Sequence, residues 1–352
     1  MNHHKVKLLR GFGVSITIKD HKIILKNGRH FYESTSDVES YFPSQFPYER
    51  IIISGKGNLS TEAIKTLGIK NVSILLTDTY GNILGSINPP MSSLVASRHR
   101  MTQYDTFRDG IKVDYLQKQI LYAKIFSEIK FLESLPEESS KVISSLQKTI
   151  LQIPHTAPQK MTTLEASASR QYFKHYGTLF DAKYSFDSRN INSKTKQNST
   201  DVINALLNYG YAVLAGEISK HINGIGMDVY YGFYHKNHES FQSLVYDMIE
   251  PFRWIVEKTV YRLANAKNKK LQIKKTHYTR HNKSGMVLLD TQLIKKFLEM
   301  LEVDFRKTRE YSRKNGMKKS NGLSNCSEIT ISKIVIQNLC DFCMGKITTF
   351  VI

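Results

Sequence analysis

The chain has 352 residues, 41% of them hydrophobic, enough for one large domain or two ordinary ones around a proper core. Its 50 Lys and Arg outnumber 31 Asp and Glu, and the net charge of +19 favours a polyanionic partner, nucleic acid first, over general surface basicity. The start MNHHKVKLLRGFG lacks an apolar signal region, no window is long and apolar enough to span a membrane, and three cysteines argue against a disulfide framework. A reducing, cytoplasmic compartment is the expectation.

The first segment reads as strands. In VSITIKDHKIILKNG, apolar and polar residues alternate through Val14, Ile16, Ile18, Ile23 and Leu25. RIIISG is a further strand. LSTEAIKTLGI is a short amphipathic helix with Ser60 or Thr61 as its N-cap. NVSILLTDTYGNILGSI is a strand pair turning at Tyr80-Gly81-Asn82. The NPP at 88–90 ends this pattern.

From about residue 97 the apolar spacing becomes three and four, as in TFRDGIKVDYLQKQILYAKIFSEIKFLESL. Polar stretches at 185–200 and 265–285 interrupt the helices, and from Arg262 to Lys283 there are eight Lys or Arg and no acid. Cys340 and Cys343 form CDFC, but with only Cys326 nearby a zinc site lacks an obvious fourth ligand, so these read as core cysteines on a terminal helix. The fold expected is α+β: a small β-rich N-terminal domain at 1–88, then a larger all-α domain at 97–352, with no internal repeat.

The stretch YYGFYHKNHESFQSLVYDMIEPFR, 230–253, carries the first chemistry. Asp247 and Glu250, three residues apart, share one helix face among Leu244, Val245, Met248 and Ile249. Burying two carboxylates is costly without a partner. A hard divalent cation, Mg2+ or Mn2+, would be one such partner, and Arg253 would be another. His235 and His238 precede this helix, and Gly232 could let the backbone bend to aim an imidazole; spacing does not choose between them.

A third acid, Glu165, stands in MTTLEASASRQYFKHYG on a face with Ala168, Tyr172 and Tyr176, although Thr162 and Glu165 also fit a capping box. DVINALLNYGYAVLAGEISKHI sets Asn204, Asn208 and Tyr211 on one stripe. That stripe is either a hydrogen-bonded seam between helices or support for metal ligands or a DNA strand.

Together these motifs resemble the CRISPR-associated integrase of the adaptation module, the Cas-one endonuclease family. The residues that carry the likeness are Glu165-Ala-Ser-Ala168 with Tyr172-Phe173, Asn204-Ala-Leu-Leu-Asn208-Tyr-Gly-Tyr211, and Gly232-Phe-Tyr-His235 followed by Asp247-Met-Ile-Glu250-Pro-Phe252-Arg253. Their order and intervals match from about residue 8 to 345. The resemblance implies that His235 is the functional histidine, that Glu165, His235 and Glu250 hold the metal, and that Asp247 works beside them. It also implies a homodimer, assembly with the small Cas-two protein, and insertion of short DNA fragments into a repeat array. Ala166 replaces the family's usual glycine, and Asn192, Lys194 and Lys196 stand where prolines and arginines are often found.

The chemistry implied is attack of a 3′-hydroxyl, or of water, on a phosphodiester beside a metal ion. Arg253 would position the DNA backbone, and Lys267, Lys269 and Lys270 would add phosphate contacts. The N-terminal strands leave an edge that dimerisation would protect. Two rivals remain. One is a casposase-type transposon integrase, disfavoured because such chains usually carry an extra domain beyond the shared region. The other is a non-catalytic nucleic-acid-binding subunit.

Overall fold

The alternating stretches of the N-terminal part pair into one six-stranded sheet. Its strands are β1 (Val6–Lys19), β2 (Lys22–Lys26), β3 (Val38–Tyr41), β4 (Arg50–Leu59), β5 (Ser73–Thr77) and β6 (Ile83–Ile87), in the spatial order β3-β2-β1-β4-β5-β6. The structure, a computed structural model, describes residues 6–29, 37–78, 83–87, 94–189, 199–236, 241–281, 285–312 and 323–352. The expected turn at Tyr80-Gly81-Asn82, His238, and Asn192, Lys194 and Lys196 lie outside the described residues.

β1 runs antiparallel to β2 but parallel to β4, which is parallel to β5. A parallel step needs a crossover. From β4 to β5 it is α1 (Thr61–Ile69), capped by Ser60, whose side chain accepts from the Ala63 amide. The period of two then divides β4 between two cores. Ile51 and Ile53 pack with Leu9, Ile16 and α1's Leu67 on one face, while Ile52, with Leu75 of β5, joins the core of the helical part on the other.

The helical part comprises α2 (Leu94–Arg108), α3 (Gly110–Glu133), α4 (Ser140–Gln152), α5 (Pro158–Thr178), α6 (Val202–Ile225), α7 (Ser243–Ile249), α8 (Arg253–Ala264), α9 (Thr291–Arg306) and α10 (Glu328–Cys343). α6 is buried on nearly every side and lies at the centre. Its Gly216 lets β5 come close: a Cβ there would stand 3.0 Å from Leu75. Beside it, Glu217 pairs with Arg50 of β4 at 2.6 Å, and both side chains are buried. None of the described helices is long and apolar enough to cross a membrane.

The C-terminal part is not purely helical. Two antiparallel ribbons interrupt it, β7 (Tyr278–Arg280) with β8 (Val287–Leu289), and β9 (Thr308–Ser312) with β10 (Leu323–Ser327). The first follows from a local period of two, with Val287 and Leu289 buried around a more open Leu288. Cys326, Cys340 and Cys343 are buried and in no disulfide among the described residues, as expected of core cysteines. Burial pushes the thiol of Cys340 up to about 12 and that of Cys343 up to about 11, so neither is a nucleophile at neutral pH.

Candidate active site

The acids of 230–253 sit where a helix breaks. Pro251 has no N–H to continue the ladder, so α7 gives way to a 3-10 turn over Glu250–Phe252 before α8 begins. The break sends the two carboxylates to different tasks. Asp247, fully buried, accepts at Oδ2 from the amides of Phe233 (2.5 Å) and Tyr234 (3.0 Å). At Oδ1 it accepts from the His235 amide (2.9 Å) and lies 2.8 Å from the His235 ring Nδ1. One side chain therefore folds the 232–235 segment and aims the imidazole. Gly232 is needed for closeness: a Cβ there would stand 2.6 Å from Asp247 Oδ2.

With Nδ1 engaged by Asp247, the ring's free nitrogen is Nε2, which lies 4.0 Å from Glu250 Oε1. Burial alone would lower the ring's pKa. The hydrogen bond to Asp247, with the charges of Asp247 and Glu250, outweighs burial and raises it.

Glu165 projects from α5, which starts at Pro158 after an N-cap at Ala157, so Glu165 is two turns inside the helix and the capping-box role does not apply. Its carboxylate accepts from Ser169 Oγ at 2.8 Å and is tightly bonded to the ammonium of Lys124 on α3. The same ammonium stands 2.9 Å from Glu250 Oε2, an ion pair rather than a well-directed hydrogen bond. Lys124 thus ties two remote carboxylates to one point. The motif reading missed it, though its signal is visible: a lysine inside the apolar run ILYAKIF.

The charges sharpen one another. Burial works against ionised Glu250, but Arg253, Lys124 and His235 hold its pKa down to about 2. Glu165 is likewise lowered, by Lys124 against burial. Lys124 is raised because Glu250 and Glu165 outweigh its own desolvation.

A buried support lies behind this cluster. Glu257 of α8 is fully buried and accepts from Tyr172 Oη (2.5 Å) and Tyr211 Oη (2.7 Å), while its backbone carbonyl accepts from Tyr176 Oη (2.7 Å). Arg253 stacks over Tyr211 at 4.2 Å and pairs with Glu250 at 3.0 Å, so the alternative partner is also present. Asn204 and Asn208 accept from Arg189 at 2.8 and 2.7 Å, which makes this stripe a hydrogen-bonded seam, and Arg189 in turn lies over Tyr211. Glu257 and Arg189 carry no motif signal. Lys267, Lys269 and Lys270 are exposed in the irregular segment after α8, apart from this cluster.

Among the described residues, no three histidine, cysteine or carboxylate side chains are gathered closely enough to chelate one ion as they stand. The ammonium occupies the meeting point of Glu165 and Glu250. The donors nevertheless suit a hard divalent cation. Two carboxylates meet at one cation, and the imidazole nitrogen 4.0 Å from the second of them is fixed by a carboxylate behind its ring.

Sheet, helical half and cluster together make a two-part α+β protein with a carboxylate–histidine–lysine centre. A family model described as CRISPR associated protein Cas1 matches residues 12–303, and the chain belongs to that family of CRISPR-associated endonucleases and integrases. It is 27% identical over 273 residues to the CRISPR-associated endonuclease Cas1 1 of Archaeoglobus fulgidus, covering 72% of this chain and 76% of that protein. Among solved structures, a casposase bound to an integration product shares the fold with a TM-score of 0.85 at 23% identity, over 99% of this chain and 93% of that one. A chain of a Cas6-RT-Cas1–Cas2 complex does so at 0.75 and 17% identity, over all of this chain and 36% of that longer one.

Proposed function

We propose that this chain is a metal-dependent integrase and endonuclease that inserts short DNA fragments into a CRISPR repeat array, with Mg2+ or Mn2+ held by Glu165, Glu250 and His235 Nε2. The observation that carries the reading is the convergence of two carboxylates, half-buried Glu165 from α5 and buried Glu250 from the α7–α8 break, on one cation beside an imidazole aimed by Asp247.

A divalent ion bound there would lower the pKa of the attacking hydroxyl and offset charge on the phosphate oxygens. The chain's own residues do the rest. Asp247 fixes the His235 tautomer and keeps Nε2 directed at Glu250. Arg253, braced by Glu250 and Tyr211, offers fixed positive charge to the DNA backbone. The fragment's 3′-oxygen forms a bond to phosphorus and loses its proton. The bond from phosphorus to the target strand's 3′-oxygen breaks, and that oxygen leaves with the electron pair and takes up a proton. With water as the nucleophile, the same displacement is cleavage.

The partners proposed are DNA, a second copy of this chain and a Cas-two protein. The net charge of +19 supports the first. The sheet, whose outermost strands are β3 and β6, supports pairing across a two-fold. The fold shared with a chain of a Cas1–Cas2 complex supports the third.

The test supplies the chain, a Cas-two partner, a fragment and a target carrying a repeat. Fragments ending in 3′-hydroxyls should be joined at both ends, and those ending in 2′,3′-dideoxynucleotides at neither. Joining of dideoxy ends would end the integrase reading, and joining of one end only would end the paired assembly. Efficient joining to random DNA without a repeat would favour the casposase-type alternative.

Lys267, Lys269 and Lys270 are proposed to bind phosphates, on their exposure within a basic, acid-free stretch. Neutralising all three should weaken binding for every sequence alike. It should also flatten the log–log salt dependence by about 0.9 for each phosphate no longer neutralised. An unchanged slope in a binding titration would make them solvated surface.

A further inference from the structure

Tyr234, next to His235, has a buried hydroxyl with no hydrogen-bond partner among the described residues. An orphaned buried hydroxyl costs about 1–3 kcal/mol, so its persistence calls for a reason. Its surroundings suggest one. The ring packs edge-on against His235, with centroids 5.4 Å apart. The Tyr234 amide is held by Asp247 Oδ2 at 3.0 Å, so the carboxylate that aims the imidazole also fixes this residue's backbone. An ordinary phenol is protonated at neutral pH, so the hydroxyl beside His235 is a donor.

The other tyrosines of the cluster already have acceptors: Tyr172 and Tyr211 in the Glu257 carboxylate, and Tyr176 in the Glu257 carbonyl. Tyr234 alone of these four is a donor in waiting. None of the described residues offers it an acceptor, and the reaction proposed above, on which this inference rests, brings one anionic oxygen acceptor to the side of His235.

We propose that Tyr234 Oη donates a hydrogen bond to a non-bridging oxygen of the scissile phosphate, and is a catalytic residue. The bond strengthens as negative charge builds on that oxygen in the transition state, and one such preorganised donor is worth about 10²–10³ in rate.

Tyr234→Phe removes the hydroxyl and keeps the ring. The variant should join DNA about 10²-fold more slowly, with unchanged DNA affinity. Its thermal midpoint should be equal to or above that of the wild type, because no protein group loses a partner. Target strands with sulfur in place of one non-bridging oxygen of the scissile phosphate give two diastereomers, and sulfur is a poor acceptor. The ratio of wild-type to variant rate should collapse toward one on a single diastereomer and stay at about 10² on the other and on the oxygen substrate. A wild-type rate in the variant, the same ratio on all three substrates, or a lowered midpoint would each overturn the proposal. No joining by the wild-type chain on the oxygen substrate would instead fail the reaction itself, and the proposal with it.

Discussion

Glu165→Ala is expected to lower strand transfer and cleavage by about 10³-fold or more, and EDTA to abolish both until Mn2+ or Mg2+ is restored. The magnitude follows from what the site would lose. Glu165 and Glu250 both contact one cation, and a metal that stabilises phosphate charge by several kcal/mol needs both carboxylates and the imidazole to stay in place. The fold should survive, because Lys124 keeps Glu250 as a partner when Glu165 is cut back. Strand-transfer assays on a variant with a wild-type melting curve check this. Full activity in Glu165→Ala, or in the presence of chelator, would remove the metal centre from the account.

Asp247→Asn is expected to fail in two ways at once. The carboxylate accepts three backbone amides and faces the ring Nδ1, and every one of these interactions needs an acceptor. An asparagine side chain turns one of its two ends into a donor. That end meets either the Phe233 and Tyr234 amides or the His235 side. Leaving buried donors unmatched costs about 3 kcal/mol in total. In a chain of this size the midpoint should fall by about 4 °C. Releasing the His235 tautomer should cost a further 10–100-fold in activity, as loss of an orienting carboxylate typically does. Calorimetry and strand transfer on the same preparation read both effects. A variant that melts like the wild type would show that Asp247 does not hold the segment.

The elements were legible where one residue's neighbours along the chain decide its fate. Val14, Ile16, Ile23 and Leu25 alternate and are buried, and Ser60 caps α1 as its position suggested. The parallel pairing of β1 with β4 was not legible, because it is fixed by a crossover and a shared core rather than by local pattern. At the site, the motifs located Glu165, His235, Asp247 and Glu250, but not their division of labour. Asp247 and Glu250 share a face only if the helix runs on regularly, and Pro251 makes it give way at Glu250. The partners of Lys124 and Glu257 were out of reach. Each is one charged residue in an apolar helix, and what it meets is set by packing between helices far apart in sequence.

The Arg50–Glu217 pair has a bearing on how the molecule can be dissected. The pair crosses from the sheet to α6, and Ile52 and Leu75 lie in the same core as the helices around the catalytic cluster. A fragment begun near residue 97 would strip the guanidinium from Glu217 and open an oily scar along α6 where Ile52 and Leu75 now pack. The sheet is thus as much a lid on the helical half as a module of its own. Swapping sheets between relatives to change their assembly would succeed only if residues 50, 52 and 75 travel together with the α6 surface that receives them.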